Sequence, residues 1–249
     1  MNLETLLSPA ELPALARRDL SGTACVVFDI LRATSTFVTA LHHGAKEIIP
    51  VCEISEAVAI RQRRPETLLA GERDGVKIRA AQSGGIDFDF GNSPREFTPE
   101  RVRGKSVVST TTNGTRALRA CAGAKTVLAA SFLNLAATAE NLRGEKEILL
   151  VCAGTGENMA SEDINAAGAM IELLLAGQKE RPRLSVNAFV AQKAYAISSE
   201  HFPNALRDSQ NGQRLLAIPE LRDDVAFCAR RDVFNLVAMM QPDGSLRRI

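Results

Sequence analysis

Lys105–Leu118 reads KSVVSTTTNGTRAL and changes character twice. Ser106–Ser109 is a short β-branched run that predicts a buried strand. Thr110, Thr111 and Thr112, followed by Asn113-Gly114, break it with small polar residues. Thr115-Arg116-Ala117-Leu118 then starts a helix. Strand, polar turn and helix together gather free backbone N–H groups that suit an anion. The hydroxyls of Thr110, Thr111, Thr112 and Thr115 would add donors, Gly114 permits close backbone approach, and Arg116 offers a planar fork for phosphate or carboxylate. The same residues also fit a plain Asn-Gly turn with Thr caps, so this stretch alone leaves both readings open.

The pattern repeats on either side. Ala24–Phe28 is a continuous apolar run ending at Asp29, as expected of a strand buried on both faces. A helix is expected over Phe37–His43, stopped by Gly44, then a strand over Lys46–Cys52 and a basic helix over Ser55–Arg64. Thr67–Ala70 reads as a strand leading into Gly71-Glu72-Arg73-Asp74-Gly75. Val76–Pro99 reads as a long irregular excursion, a length that is usually functional. Strands follow at Thr126–Ala130 and Ile148–Cys152, with helices over Leu133–Leu142 and about Glu162–Ala176, the latter capped by Ser161 or Asp163. One or two short helices are expected in Leu3–Leu20. From about residue 183 the chain is mainly helical, over Val186–Ser199, Gly212–Ile218 and Asp223–Ala229. Val233–Met240 and Ser245–Arg248 would close it as a hairpin. The alternation predicts one α/β domain over residues 1–249, with three layers and a largely parallel, mixed sheet.

Bulk composition narrows the function. The 249 residues are 45% hydrophobic and 24% charged, ordinary for a globular chain. A formal charge of +1 gives no bulk pull toward nucleic acid or anionic membrane, and aromatics at 4% are too scarce for base-stacking platforms. Five widely spaced cysteines without C-x-x-C read as reduced thiols of a cytoplasmic protein. The first twenty residues lack a signal-peptide pattern, and no span reaches transmembrane length. The three histidines have no metal-ligand spacing, and Cys152 reads as core.

In parallel α/β sheets, ligands bind beyond the carboxyl ends of the strands. That rule brings Asp29, Glu72, Thr110–Arg116, Ser131 and Cys152–Asp163 to one edge. Carboxylates (Asp29, Glu72, Glu162, Asp163) beside an N–H-rich, Arg-bearing loop describe a Mg²⁺-assisted phosphate site. Each also has a plain role open to it: strand-end cap for Asp29, solvated turn for Glu72, first-turn helix charge for Glu162 and Asp163.

These residues carry a resemblance. Val26–Thr36 (VVFDILRATST), Gly71–Ile78 (GERDGVKI), Phe88–Phe97 (FDFGNSPREF), Val107–Leu118 (VVSTTTNGTRAL), Ser131–Asn134 (SFLN), Val151–Thr155 (VCAGT) and Ser161–Gly168 (SEDINAAG) resemble, in order, the 2-phosphosulfolactate phosphatase family of coenzyme M biosynthesis. The resemblance implies a Mg²⁺-dependent phosphatase that hydrolyses a phosphorylated 2-hydroxy acid to 3-sulfolactate and phosphate. From its size, the chain is also expected to form a homo-oligomer, a dimer. It carries over Asp29, Arg32, Glu72, Asn92, Ser93, Asn113, Thr115, Arg116, Glu162 and Asp163 as the site. Within that set, Asp29, Glu72, Glu162 and Asp163 are assigned to the metal, and Asp29, Arg32, Arg116 and Asp163 to catalysis. Thr111, Thr112, Asn113, Gly114, Thr115 and Arg116 are assigned to phosphate, and Arg32, Asn92 and Ser93 to the substrate's other acid groups. Arg79–Ile86 departs from the family pattern, being longer and richer in Gly and Ala.

Two other readings compete. A haloacid-dehalogenase-like phosphatase would need a second Asp two residues after Asp29, where this chain has Leu31. A non-enzymatic anion-binding module would not line its ligand with carboxylates, which repel it unless a metal intervenes.

Overall fold

Continuous apolar runs become strands covered on both faces in this computed structural model, which describes residues 1–178 and 182–249. In chain order the strands are β1 (Asn2–Leu6), β2 (Ala24–Phe28), β3 (Glu47–Val51), β4 (Leu68–Arg73), β5 (Val76–Lys77), β6 (Ser106–Thr110), β7 (Thr126–Ala130), β8 (Glu147–Cys152), β9 (Arg183–Leu184), β10 (Ala238–Met240) and β11 (Leu246–Arg248). The helices are α1 (Ala33–His42), α2 (Ile54–Arg63), α3 (Ala80–Ser83), α4 (Pro99–Val102), α5 (Gly114–Ala120), α6 (Leu135–Asn141), α7 (Ser161–Leu175), α8 (Val186–Ser198), α9 (Phe202–Asp208), α10 (Gln210–Leu216) and α11 (Arg222–Cys228).

The sheet order is β5-β4-β6-β3-β11-β10-β7-β2-β8-β1-β9. Pairing is parallel from β4 to β3 and from β7 to β9. The antiparallel hairpin β10–β11 is wedged between these halves, with Leu246 opposite Ile48 and Ala238 opposite Ala129. Alternate residues of one strand enter different cores. Cys25 and Val27 pack with α1 and α5 on one face, whereas Ala24, Val26 and Phe28 pack with α7 and α8 on the other. That period of two, buried in both directions, produces a three-layer α/β/α fold with a mixed, largely parallel sheet. No helix among the described residues is long and apolar enough to cross a membrane.

The N-terminal segment departs from the expected pair of helices. Asn2–Leu6 pairs along the whole length of β8, and a 3₁₀ helix over Pro9–Arg17 follows, capped by Ser8 and Glu11. The strand wins because Leu3, Thr5 and Leu6 bury themselves against the sheet, leaving the prolines to a tighter helix. α1 starts at Ala33 rather than Phe37, since the Asp29 carboxylate and carbonyl accept the N–H groups of Ala33 and Thr34. α9 was not expected. The Val76–Pro99 excursion holds β5, α3 and a 3₁₀ turn at Pro94–Glu96, pinned by buried Phe88, Phe90 and Phe97.

Candidate active site

Four strand ends deliver one cavity. The loops after β2, β4, β6 and β8 meet there with the C-terminal helices around a space of about 280 Å³. Its lining includes Asp29, Arg32, Glu72, Asn92, Thr112, Asn113 and Gly154–Gly156. β6 and β2 are not neighbours in the sheet, yet a Cβ on Gly114 would lie 2.6 Å from Asp29 Oδ2 and from Ala33 Cβ. Only glycine admits that approach.

The carboxylates are close enough to feel one another. Burial pushes the Asp29 carboxyl up to about 7, and the charges of Glu72 and Glu162 push it the same way. Burial, then Asp29 and Glu162, hold Asp163 well above the usual carboxylate range. Their oxygens are unequally engaged. Asp163 accepts from Ile30 N at 2.8 Å and Gly154 N at 2.9 Å, tying the β2 and β8 loops together. It therefore bonds across to other loops and does not cap α7, whose cap position is Ala160; Ser161 is the first helical residue. Glu72 accepts from Thr112 N (2.9 Å), Thr112 Oγ1 (3.0 Å) and Gly75 N (2.7 Å). The Asp74-Gly75 turn that supplies that last donor has φ of 54° and 79°, the left-handed pair of a type I′ hairpin. Asp29 Oδ1 accepts from Ala33 N and Glu162 Oε1 from Asn211 Nδ2. Asp29 Oδ2 and Glu162 Oε2 have no hydrogen-bond partner among the described residues. No three acidic, His or Cys groups among those residues form a complete metal cage.

The polar groups of the Thr110–Arg116 loop are mostly engaged, within the loop and with its neighbours. Thr110 Oγ1 donates to Cys52 O and accepts from Arg73. Thr111 and Thr115 bond reciprocally through backbone and hydroxyls. Asn113 clasps the β8 loop, donating to Ala153 O and Gly156 O and accepting from Gly156 N. Thr112 and Asn113 are the residues of this loop that line the cavity. Arg116, expected on the phosphate, lies elsewhere: its side chain is 45% exposed and 3.4 Å from Glu157. Its place early in α5 turns it to the surface. Ser131 caps the 3₁₀ turn Phe132–Asn134.

Arg32 and Ser93, expected on the substrate, share a partner that the local motifs did not reveal. Arg32 Nη1 is 2.8 Å from Asp224 Oδ2, with both side chains buried, and Arg32 Nη2 donates to Gly75 O at 2.7 Å. Ser93 Oγ donates to Asp224 Oδ1 at 2.7 Å. Asn92 lines the cavity, its carbonyl fixed by Thr36 Oγ1. Also missed were Asn211, Arg214, Leu215 and Ile218, which form another wall. They follow no strand, and their only local signal is one helical face. All five cysteines are free; Cys152 is fully buried, and burial pushes its thiol well above the usual range, a core residue.

Comparison with known proteins agrees with this geometry. A family model described as 2-phosphosulpholactate phosphatase matches residues 9–243. A protein of Caldanaerobacter subterraneus subsp. tengcongensis named probable 2-phosphosulfolactate phosphatase is 39% identical over 231 residues, 90% of each chain. One of the same name from Thermotoga petrophila is 39% identical, covering 85% of this chain and 86% of its own. Another from Carboxydothermus hydrogenoformans is 33% identical, covering 99% and 94%. A match of this extent, over the same loops that build the cavity, means that the chain belongs to the 2-phosphosulpholactate phosphatase family.

Proposed function

We propose that this protein is a Mg²⁺-dependent phosphatase that hydrolyses 2-phosphosulfolactate, a phosphorylated 2-hydroxy acid, to 3-sulfolactate and phosphate. The observation that carries the reading is Asp29. It lines the cavity with one carboxylate oxygen unpartnered, among acidic neighbours that raise its proton affinity. A phosphate dianion would be repelled by Asp29, Glu72 and Asp74, which line the same space, unless a cation lay between them. Mg²⁺ is ordinarily bound through one or two carboxylates, waters and substrate phosphate oxygens rather than by an all-protein cage. Asp29 Oδ2, on the cavity wall, suits that demand and would hold the ion, with Glu162, outside the lining but close enough for its charge to act on Asp29, as the second ligand. When bound, Mg²⁺ neutralises phosphoryl oxygens and acts as a Lewis acid.

The remaining residues keep the site in shape. Glu72 orients Thr112 toward the cavity through two hydrogen bonds. Asp163 and Asn113 each bridge loops, which ties the β2, β6 and β8 loops together. Hydrolysis makes a P–O bond to water, breaks the ester P–O bond and returns a proton to the departing 2-hydroxyl.

The test is phosphate release with and without Mg²⁺ from 2-phosphosulfolactate, 2-phospholactate, 2-phosphoglycolate, 3-phosphoglycerate and p-nitrophenyl phosphate. Mg²⁺-dependent release that favours phosphosulfolactate is expected, with Asp29→Asn lowering turnover about 100-fold or more. Release independent of Mg²⁺ removes the metal from the proposal, and release from none of the panel removes the phosphatase.

A further inference from the structure

The cavity has two arginines, and they are not equivalent. Arg32 is committed to Asp224, a fully buried carboxylate, and to the carbonyl of Gly75. Ser93 donates to the second oxygen of Asp224, which Arg95 also approaches at 3.8 Å, so both oxygens of that carboxylate are engaged. Arg214 reaches the same cavity from α10. The ion pairs around the cavity run from Arg32 and Arg95 to Asp224, from Arg95 to Asp223 and from Arg116 to Glu157; Arg214 takes part in none among the described residues. Its donors are thus free of any ion pair where those of Arg32 are committed.

Arg214 also sits on an anchored face. Asn211, Arg214 and Leu215 line the cavity at the i, i+3, i+4 spacing of one face of α10, and Ile218 adds to the wall just past the helix end. Asn211 anchors that face, donating to Glu162 Oε1 and Thr155 Oγ1, both at 2.6 Å. The face ends in Leu215, buried against the second core. The carboxylates Asp29 and Glu72 come from the strand ends, and this arginine comes from the separate helical wall. A ligand with its phosphate at the carboxylates would present its far end to α10.

We infer that Arg214 anchors the acid group farthest from the phosphate and so selects phosphomonoesters that carry a remote sulfonate or carboxylate. A guanidinium with apolar neighbours Leu215 and Ile218 suits a tetrahedral or planar oxyanion through paired N–H donors. This inference rests on the phosphatase reading above, and its test separates the two. 2-Phosphosulfolactate and 2-phospholactate share phosphate and carboxylate and differ by the sulfonate alone. Arg214→Ala is expected to shrink the discrimination between them in kcat/KM by about 10- to 100-fold, mainly through KM for the sulfonate, as loss of one charge-assisted contact requires. Arg214→Lys should recover part of it. Calorimetric binding of 3-sulfolactate against lactate reads the same contact without turnover. Equal losses on both substrates, or none on either, overturn the role of Arg214. If the wild type hydrolyses neither, the phosphatase reading has failed, and the calorimetry still decides: 3-sulfolactate binding unaffected by Arg214→Ala, or no tighter than lactate, sinks the anchor.

Discussion

At the scale of single residues, the decisive finding is how Arg32 and Arg116 divide. Arg32 ends in a buried pair with Asp224, and breaking such a pair by removing one partner costs about 3–5 kcal/mol. Asp224→Ala is therefore expected to lower the denaturation midpoint sharply and to reduce activity, although Asp224 is remote in sequence from every motif. A midpoint within experimental scatter of wild type would show that the pair stabilises nothing. Arg116 is the opposite case. Its exposed contact with Glu157 belongs to a class worth about 0–1 kcal/mol, so Arg116→Ala should fold normally and retain most turnover. A large loss would return Arg116 to the phosphate. Asp29 adds a pH signature. Its folded carboxyl titrates at about 7, whereas an unfolded aspartate titrates near ~4. Between those values the folded state holds the extra proton, so stability falls as pH rises and the full cost is present above about 7. Thermal unfolding in EDTA should thus show Tm falling from about pH 5 to about pH 8, and Asp29→Asn should make that slope shallower, buried Asp163 supplying what remains. A Tm rising with pH over this window in wild type, or an equal fall in the variant, contradicts the assignment.

At the scale of elements, what matters is how strand ends are packed together. Gly114 opens α5 at a point where a methyl group would overlap both Asp29 and Ala33. Gly114→Ala should push the β6 loop off the β2 loop, costing about 1–3 kcal/mol by overpacking, with a larger effect on turnover than on Tm. Normal kinetics in that variant would mean that the two loops need not touch. The elements themselves were largely legible. β2, β6, β7 and β8 announce themselves as continuous apolar runs because both faces are covered, and the rule that ligands gather beyond their carboxyl ends found Asp29, Glu72 and Thr112. β1 was not legible: NLETL is short, half-polar and followed by prolines, and it is a strand only because β8 offers an edge. Asp224, Asn211 and Arg214 escaped for a related reason. They lie on short helices whose approach to the cavity is set by tertiary packing, which a local helical period does not reveal.

At the scale of the whole molecule, the hairpin β10–β11 joins what would otherwise be two separate parallel sheets. Leu246, fully buried, lies opposite Ile48, and Arg247 Nη2 binds Glu47 Oε2 at 3.0 Å. Leu246→Ala is expected to cost about 2–5 kcal/mol, as for other buried leucines, and to lower the urea midpoint while kcat per folded molecule stays near wild type. Unchanged stability would deny the hairpin its structural role.

That seam has a consequence during biosynthesis. A ribosome delivers residues 1 to 237 before any of the strands that join the halves exists. Until then β3 and β7 each present an open row of backbone donors and acceptors, the kind of edge that recruits foreign strands. The growing polypeptide must therefore wait, half assembled, for that hairpin. Slow or interrupted translation near residue 237 would lengthen that vulnerable interval, and aggregation yields in a cell-free system would report it.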